Sequence, residues 1–74
     1  MAITRLTDRL MMDDNNNVVK DKNGKEVWIR RFGLWGTTAE IEIVGRKIEV
    51  VLANGTRTRF ETKTKAEEYL KSLL

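Results

Sequence analysis

The sequence predicts an α+β fold: a small antiparallel β-meander of about five strands, SH3-like or closed part-way into a barrel, with one C-terminal α-helix. Three observations carry this. Residues Ala39 to Phe60 alternate apolar and polar across two tight-turn signals. A second turn signal, Asn23-Gly24, sits inside another strand-like stretch. The last dozen residues switch to the three-and-four spacing of an amphipathic helix. With 74 residues, the chain is expected to form a single small domain: an N-terminal arm or loop over 1–17, the β-sheet over 18–60 and the helix over 64–73.

At the N-terminus, Ile3, Leu6 and Leu10 are spaced like one face of a short helix, with Arg5, Asp8 and Arg9 elsewhere on its surface. Such a segment either packs on the domain or acts as an arm that orders against a partner. Asp13 to Asn17 (DDNNN) reads as a polar loop. It lacks the glycine and distal glutamate of a calcium loop.

Val18 to Phe32 reads as a hairpin. A three-residue loop Lys22-Asn23-Gly24 pairs Lys20 with Glu26 and Asp21 with Lys25, opposite charges in both cases. Residues 33–38 (GLWGTT) are a link whose two glycines suit a bulge or bend.

In the central stretch, Ala39, Ile41 and Ile43 alternate with Glu40 and Glu42. Gly45-Arg46 suits a two-residue type II′ turn, which sets Ile43 opposite Ile48 and Ile41 opposite Val50. The next turn has two registers. A two-residue Asn54-Gly55 loop places Arg57 and Arg59 on the apolar face. A three-residue Ala53-Asn54-Gly55 loop pairs Val50 with Thr58 and Ile48 with Phe60, and leaves Glu49 opposite Arg59. Burying unpaired arginines costs several kcal/mol, so roughly an order more than a cross-strand ion pair contributes, and the three-residue loop is preferred. Glu42 then faces Glu49, and Arg59 is placed to relieve that repulsion.

For the helix, Thr64 and Glu67 form a capping box, followed by an Ala66, Tyr69, Leu70, Leu73 stripe expected to pack on the sheet.

Composition narrows the chemistry. The chain has no cysteine and no histidine. This removes disulfides, thiolate metal sites and the commonest general base. Glu40, Glu42 and Glu49 fall on a charged solvent face, and no base stands ready to activate the threonines. Gly33 to Gly36 lacks the spacing of a phosphate loop. The expectation is a protein without enzymatic activity, catalytic residues, cofactor or metal.

The basic and aromatic content points elsewhere. The formal charge is +3, which suits an acidic partner. Trp28, Arg30, Arg31, Phe32 and Trp35 fall close together, and Arg46, Lys47, Arg57, Arg59, Lys63 and Lys65 form a second basic group. Arginine binds phosphate and exposed aromatic rings stack on bases. Against this, both tryptophans can serve as core, and the second group is largely offset by Glu42, Glu49 and Glu61. Arg30 and Arg31 have no acidic partner within these hairpins. The candidate nucleic-acid-binding residues are Trp28, Arg30, Arg31, Trp35, Arg46 and Arg57.

Phe60-Glu61-Thr62-Lys63, followed by Ala66, Tyr69 and Leu70, resembles the strand-to-helix junction of the N-terminal arm-binding domains of phage-type tyrosine recombinases. Those domains are a three-stranded sheet with one C-terminal helix, and the sheet enters the DNA major groove. The likeness covers about a third of the chain. It implies an architecture and carries over no binding residue.

The expected function is a small DNA- or other nucleic-acid-binding module, of the kind that serves as accessory protein to a phage or mobile element. The alternative is a protein-binding adaptor or inhibitor that uses its sheet face or N-terminal arm. No run of residues is long and apolar enough to span a membrane, and the N-terminus lacks the core of a signal peptide, so a cytoplasmic protein without a membrane partner is expected.

Overall fold

Short turns force consecutive strands to be neighbours, and the chain follows that rule from Trp28 to Phe60. The computed structural model describes residues 2–74. Its strands are β1 (Ile3–Arg5), β2 (Arg9–Leu10), β3 (Trp28–Leu34), β4 (Glu40–Val44), β5 (Lys47–Val51) and β6 (Arg57–Phe60), followed by helix α1 (Lys63–Ser72). The sheet is antiparallel in the order β1-β3-β4-β5-β6, with β2 pairing to β3 beside β1. It is an α+β meander with one C-terminal helix. The sheet stays open, so the closure into an SH3-like barrel does not occur: β1 and β6 remain as edges.

Both central turns adopt the predicted registers. Val44 pairs with Lys47 across Gly45-Arg46, and Gly45 has φ 58°. Ile43 faces Ile48 and Ile41 faces Val50. The next loop is the three-residue one. Gly55 N–H donates to Leu52 O at 2.9 Å, and Leu52 N–H donates to Thr56 O at 2.9 Å. Gly55 closes it at φ 89°, a left-handed conformation that costs a side-chain-bearing residue about 1 kcal/mol or more. Val50 therefore faces Thr58, Ile48 faces Phe60 and Glu49 faces Arg59.

The face of the sheet that α1 covers is the core. Phe32, Leu34, Ala39, Ile41, Ile43 and Val50 pack there against Ala66 and Leu70 of α1. Ile41, Val50 and Leu70 are fully buried. Phe60 and Tyr69 stack at 5.3 Å between centroids, and the Lys63 ammonium lies 4.1 Å above the Phe32 ring. Ala66, Tyr69 and Leu70 of the expected stripe pack on the sheet, whereas Leu73 is the C-cap and is exposed, and the N-terminal cap is not the expected one. The helix begins at Lys63, and Thr62 is its N-cap: Lys65 N–H donates to Thr62 Oγ1 at 3.2 Å. Thr64 lies inside the first turn, so no Thr64–Glu67 box forms. The strand ends at Phe60, and the short connection makes the earlier threonine the extended residue directly before the helix.

The N-terminal reading is also corrected. Ile3–Arg5 and Arg9–Leu10 are strands, and no helix forms there. Ile3, Thr4 and Arg5 pair with Leu34, Gly33 and Phe32, whereas Arg9 and Leu10 pair with Ile29 and Trp28. Three residues (6–8) therefore lie opposite two (30–31), which is a β-bulge. A bulge moves the alternation by one residue. Apolar positions in a bulged strand then recur at intervals of three and four, which imitates a helix in the sequence.

Residues 11–27 extend this edge as a curled hairpin. Lys20 bridges Glu26, and Asp21 N–H donates to Lys25 O at 2.8 Å, as the Lys22-Asn23-Gly24 loop requires. Met12 bridges Val18 across the Asp13 to Asn17 turn, where Asp13 Oδ1 accepts from Asn15 and Asn17 N–H.

Candidate nucleic-acid interface

The face of the sheet turned away from α1 carries Glu40, Glu42 and Glu49, and it gathers Arg9, Arg31, Lys47 and Arg57 around them. Glu42 is 8% exposed. A carboxylate that buried must be matched by charge or hydrogen bonds. Arg57 Nη1 donates to Glu42 Oε1 at 2.9 Å and to Glu49 Oε1 at 3.2 Å, and Arg9 Nη2 donates to Glu42 Oε2 at 3.0 Å. Lys47 Nζ lies 3.6 Å from Glu49 Oε1. Glu42 and Glu49 are a direct cross-strand pair, as expected. The cation between them is Arg57, a diagonal neighbour, rather than Arg59, which faces Glu49 but makes no ion pair among the described residues.

Arg31 is likewise engaged. Its Nε and Nη2 donate to the two oxygens of Glu40 at 3.0 and 2.8 Å, and Nη1 donates to Thr7 O at 3.3 Å. This two-pronged geometry is the strong form of the arginine–carboxylate pair. The hydrogen bond to Glu40 raises the Arg31 pKa above its ordinary value, partial burial opposes it, and the charges of Glu40 and Glu42 add to the rise. Arg57 is raised for the same reason by Glu42 first, against burial, with Glu49 assisting.

Beneath these pairs, Leu10, Met11, Met12, Ile29 and Val44 floor a groove of about 450 Å³ rimmed by Arg9, Lys47 and Arg57. Its carboxylates, Glu42 and Glu49, already hold guanidinium groups. Neither is placed as a free general base.

The six candidate residues therefore separate. Arg31 and Arg57 are structural, each bound to carboxylates. Trp28 is 51% exposed and Trp35 87% exposed, so neither is core. They begin and follow β3, which puts them roughly 23 Å apart at about 3.3 Å per residue. They do not share one surface. Trp35 stands alone beside the Gly36 turn, next to a shallow apolar groove that includes Leu6 and Gly33. Trp28 and Arg30 alternate on one face of β3, and both side chains are exposed. Arg30 pairs across to Ile43 on β4, and the β4–β5 turn that follows presents Arg46. Neither Arg30 nor Arg46 makes an ion pair among the described residues. Trp28, Arg30 and Arg46 thus lie toward one corner of the sheet.

Two partners lay outside the sequence reading. Arg9 reaches Glu42 only because the bulge at residues 6–8 turns it to that face. Glu40 meets Arg31 because β4 pairs with β3 across the glycine link, so that Gly33 faces Glu40 and leaves room for the diagonal contact.

No protein-family model matches this chain, and comparison with curated proteins and with solved structures finds no match either. The resemblance of residues 60–70 to recombinase arm-binding domains has no support from these comparisons.

Proposed function

We propose that the chain is a non-enzymatic module that binds nucleic acid at the corner formed by Trp28, Arg30 and Arg46. One observation carries the reading: a tryptophan with half its surface in solvent shares a strand face with an arginine that has no acidic partner among the described residues. The indole supplies a stacking platform, worth about 1–3 kcal/mol per base. The two guanidinium groups supply phosphate contacts, which are salt-dependent through counterion release. The internal pairing of Arg9, Arg31 and Arg57 supports the same location, because those cations would have to leave a carboxylate to meet a phosphate.

The test is fluorescence anisotropy with a labelled twelve-nucleotide oligothymidylate and with a duplex of equal length. Arg30→Ala/Arg46→Ala should weaken binding at least tenfold. Lys71→Ala, which removes an exposed cation from the far helix, should change it less than twofold. A double variant that binds like the parent protein sinks the reading.

A further inference from the structure

The β6 edge offers a second binding surface, independent of the Trp28 corner. In an antiparallel ladder, directly opposed residues alternate between hydrogen-bonded and non-hydrogen-bonded pairs. Leu52 and Thr56 are a hydrogen-bonded pair. Val50–Thr58 and Ile48–Phe60 follow in the same phase, so Val51–Arg57 and Glu49–Arg59 are the non-bonded ones. The backbone N–H and C=O of Arg57 and Arg59 therefore point out of the sheet. Among the described residues no strand lies beyond β6, and α1 packs on the sheet face, not along this edge.

An exposed edge is a template for another strand, and its side chains decide which one. A strand laid on β6 places one residue opposite Arg57 and another, two positions along, opposite Arg59. Arg57 is already committed to Glu42 and Glu49. Arg59 is exposed and makes no ion pair among the described residues, so it is available to a carboxylate. The residues between fall on the other face, beside Thr58 and the Phe60–Tyr69 ring pair. A second copy of this chain does not fit. Antiparallel pairing of two β6 strands sets arginine against arginine in either centred register, and like charges directly opposed are destabilising.

We propose that the outer edge of β6 accepts an extended strand from an acidic partner protein, one with acidic residues at alternate positions and apolar residues between them. The partner's backbone bonds to Arg57 and Arg59, a carboxylate meets the Arg59 guanidinium, and an apolar side chain lies against Phe60 and Tyr69. The sheet gains one strand and loses its open edge on that side.

The probe is an N-acetylated, C-amidated Val-Glu-Val-Glu-Val peptide, with a Lys-for-Glu twin. The acidic peptide should slow amide hydrogen exchange at Arg57 and Arg59 of the full chain and shift those two amide resonances. Arg59→Glu should weaken the acidic peptide about tenfold and strengthen the lysine twin. Arg59→Glu also sets a carboxylate directly opposite Glu49, so Arg59→Gln, which breaks no ion pair among the described residues, is the companion variant and should abolish the preference for the acidic peptide without reversing it. The proposal is overturned if millimolar acidic peptide leaves both amides unchanged. It also falls if Arg59→Glu does not alter the preference, or if the oligothymidylate rather than the peptide protects these amides. Arg30 and Arg46 lie outside this edge, so failure here leaves the nucleic-acid reading to its own test.

Discussion

Arg57→Ala should be a damaging loss for a half-exposed charge, and its cost can be worked from the geometry. Arg57 makes two hydrogen bonds, one to the nearly buried Glu42 and one to Glu49. Its own side chain is 47% exposed, so each of the two is discounted toward the surface value of roughly 0.5 kcal/mol. Removing it also unmasks the Glu42–Glu49 pair. Two carboxylates directly opposed at about 5.5 Å repel by roughly 1 kcal/mol with an effective dielectric between the surface and bulk values. The sum is about 2 kcal/mol, with Arg9 still holding the far oxygen of Glu42. A 2 kcal/mol loss is a large share of the ~4–11 kcal/mol expected for a domain of this size. Arg59→Ala removes the directly facing cation but no ion pair among the described residues, and should cost less than about 0.5 kcal/mol. Urea unfolding followed by far-UV circular dichroism measures both. Adding Glu49→Gln to Arg57→Ala should recover about half of the deficit, because the repulsion is then gone. Equal costs for the two arginines, or no recovery with Glu49→Gln, would refute the diagonal pairing.

Other expectations follow from the same contacts. The Arg57 contribution, taken as wild type minus Arg57→Ala, should be flat between about pH 7 and 10. A raised arginine pKa gives stability that is present below arginine's ordinary value and lost only as pH climbs through the raised one. Thr62→Ala should cost about 1 kcal/mol in unfolding experiments and Thr64→Ala much less, since the cap hydroxyl belongs to Thr62. Leu70→Ala should cost about 2–5 kcal/mol because Leu70 is fully buried under the sheet, and a smaller loss than that of Thr62→Ala would mean that α1 is not docked. Gly55→Ala should destabilise by about 1 kcal/mol, because φ 89° disfavours any side chain.

What was legible in the sequence tracks how local the determining interactions are. The Gly45-Arg46 and Ala53-Asn54-Gly55 turns could be read because each register follows from a few adjacent residues and one buried face. The helix stripe was legible for the same reason. Its cap was displaced because two threonines, Thr62 and Thr64, both offer a hydroxyl, and only the end of β6 selects between them. The N-terminal strand was hidden by its bulge, since Ile3, Leu6 and Leu10 carry helical spacing. The site divided along the same line. That Trp28 and Arg30 share a face follows from alternation within β3. That Arg31 is consumed by Glu40, and Arg57 by Glu42, depends on pairing across the glycine link and on a diagonal choice, neither of which is written in adjacent residues.

Trp28 and the two arginines beside it are probed most directly by a salt titration of tryptophan fluorescence in a Trp35→Phe background. That variant leaves Trp28 as the sole tryptophan. Added oligothymidylate should quench its emission, with an affinity that falls as salt rises. Arg30→Ala/Arg46→Ala should reduce the log–log salt slope by roughly 0.7 for each phosphate of the single strand that is no longer neutralised, about 1.4 in all. An emission that ignores micromolar oligonucleotide at low salt, or a slope that the double variant leaves unchanged, would contradict nucleic-acid binding at this corner.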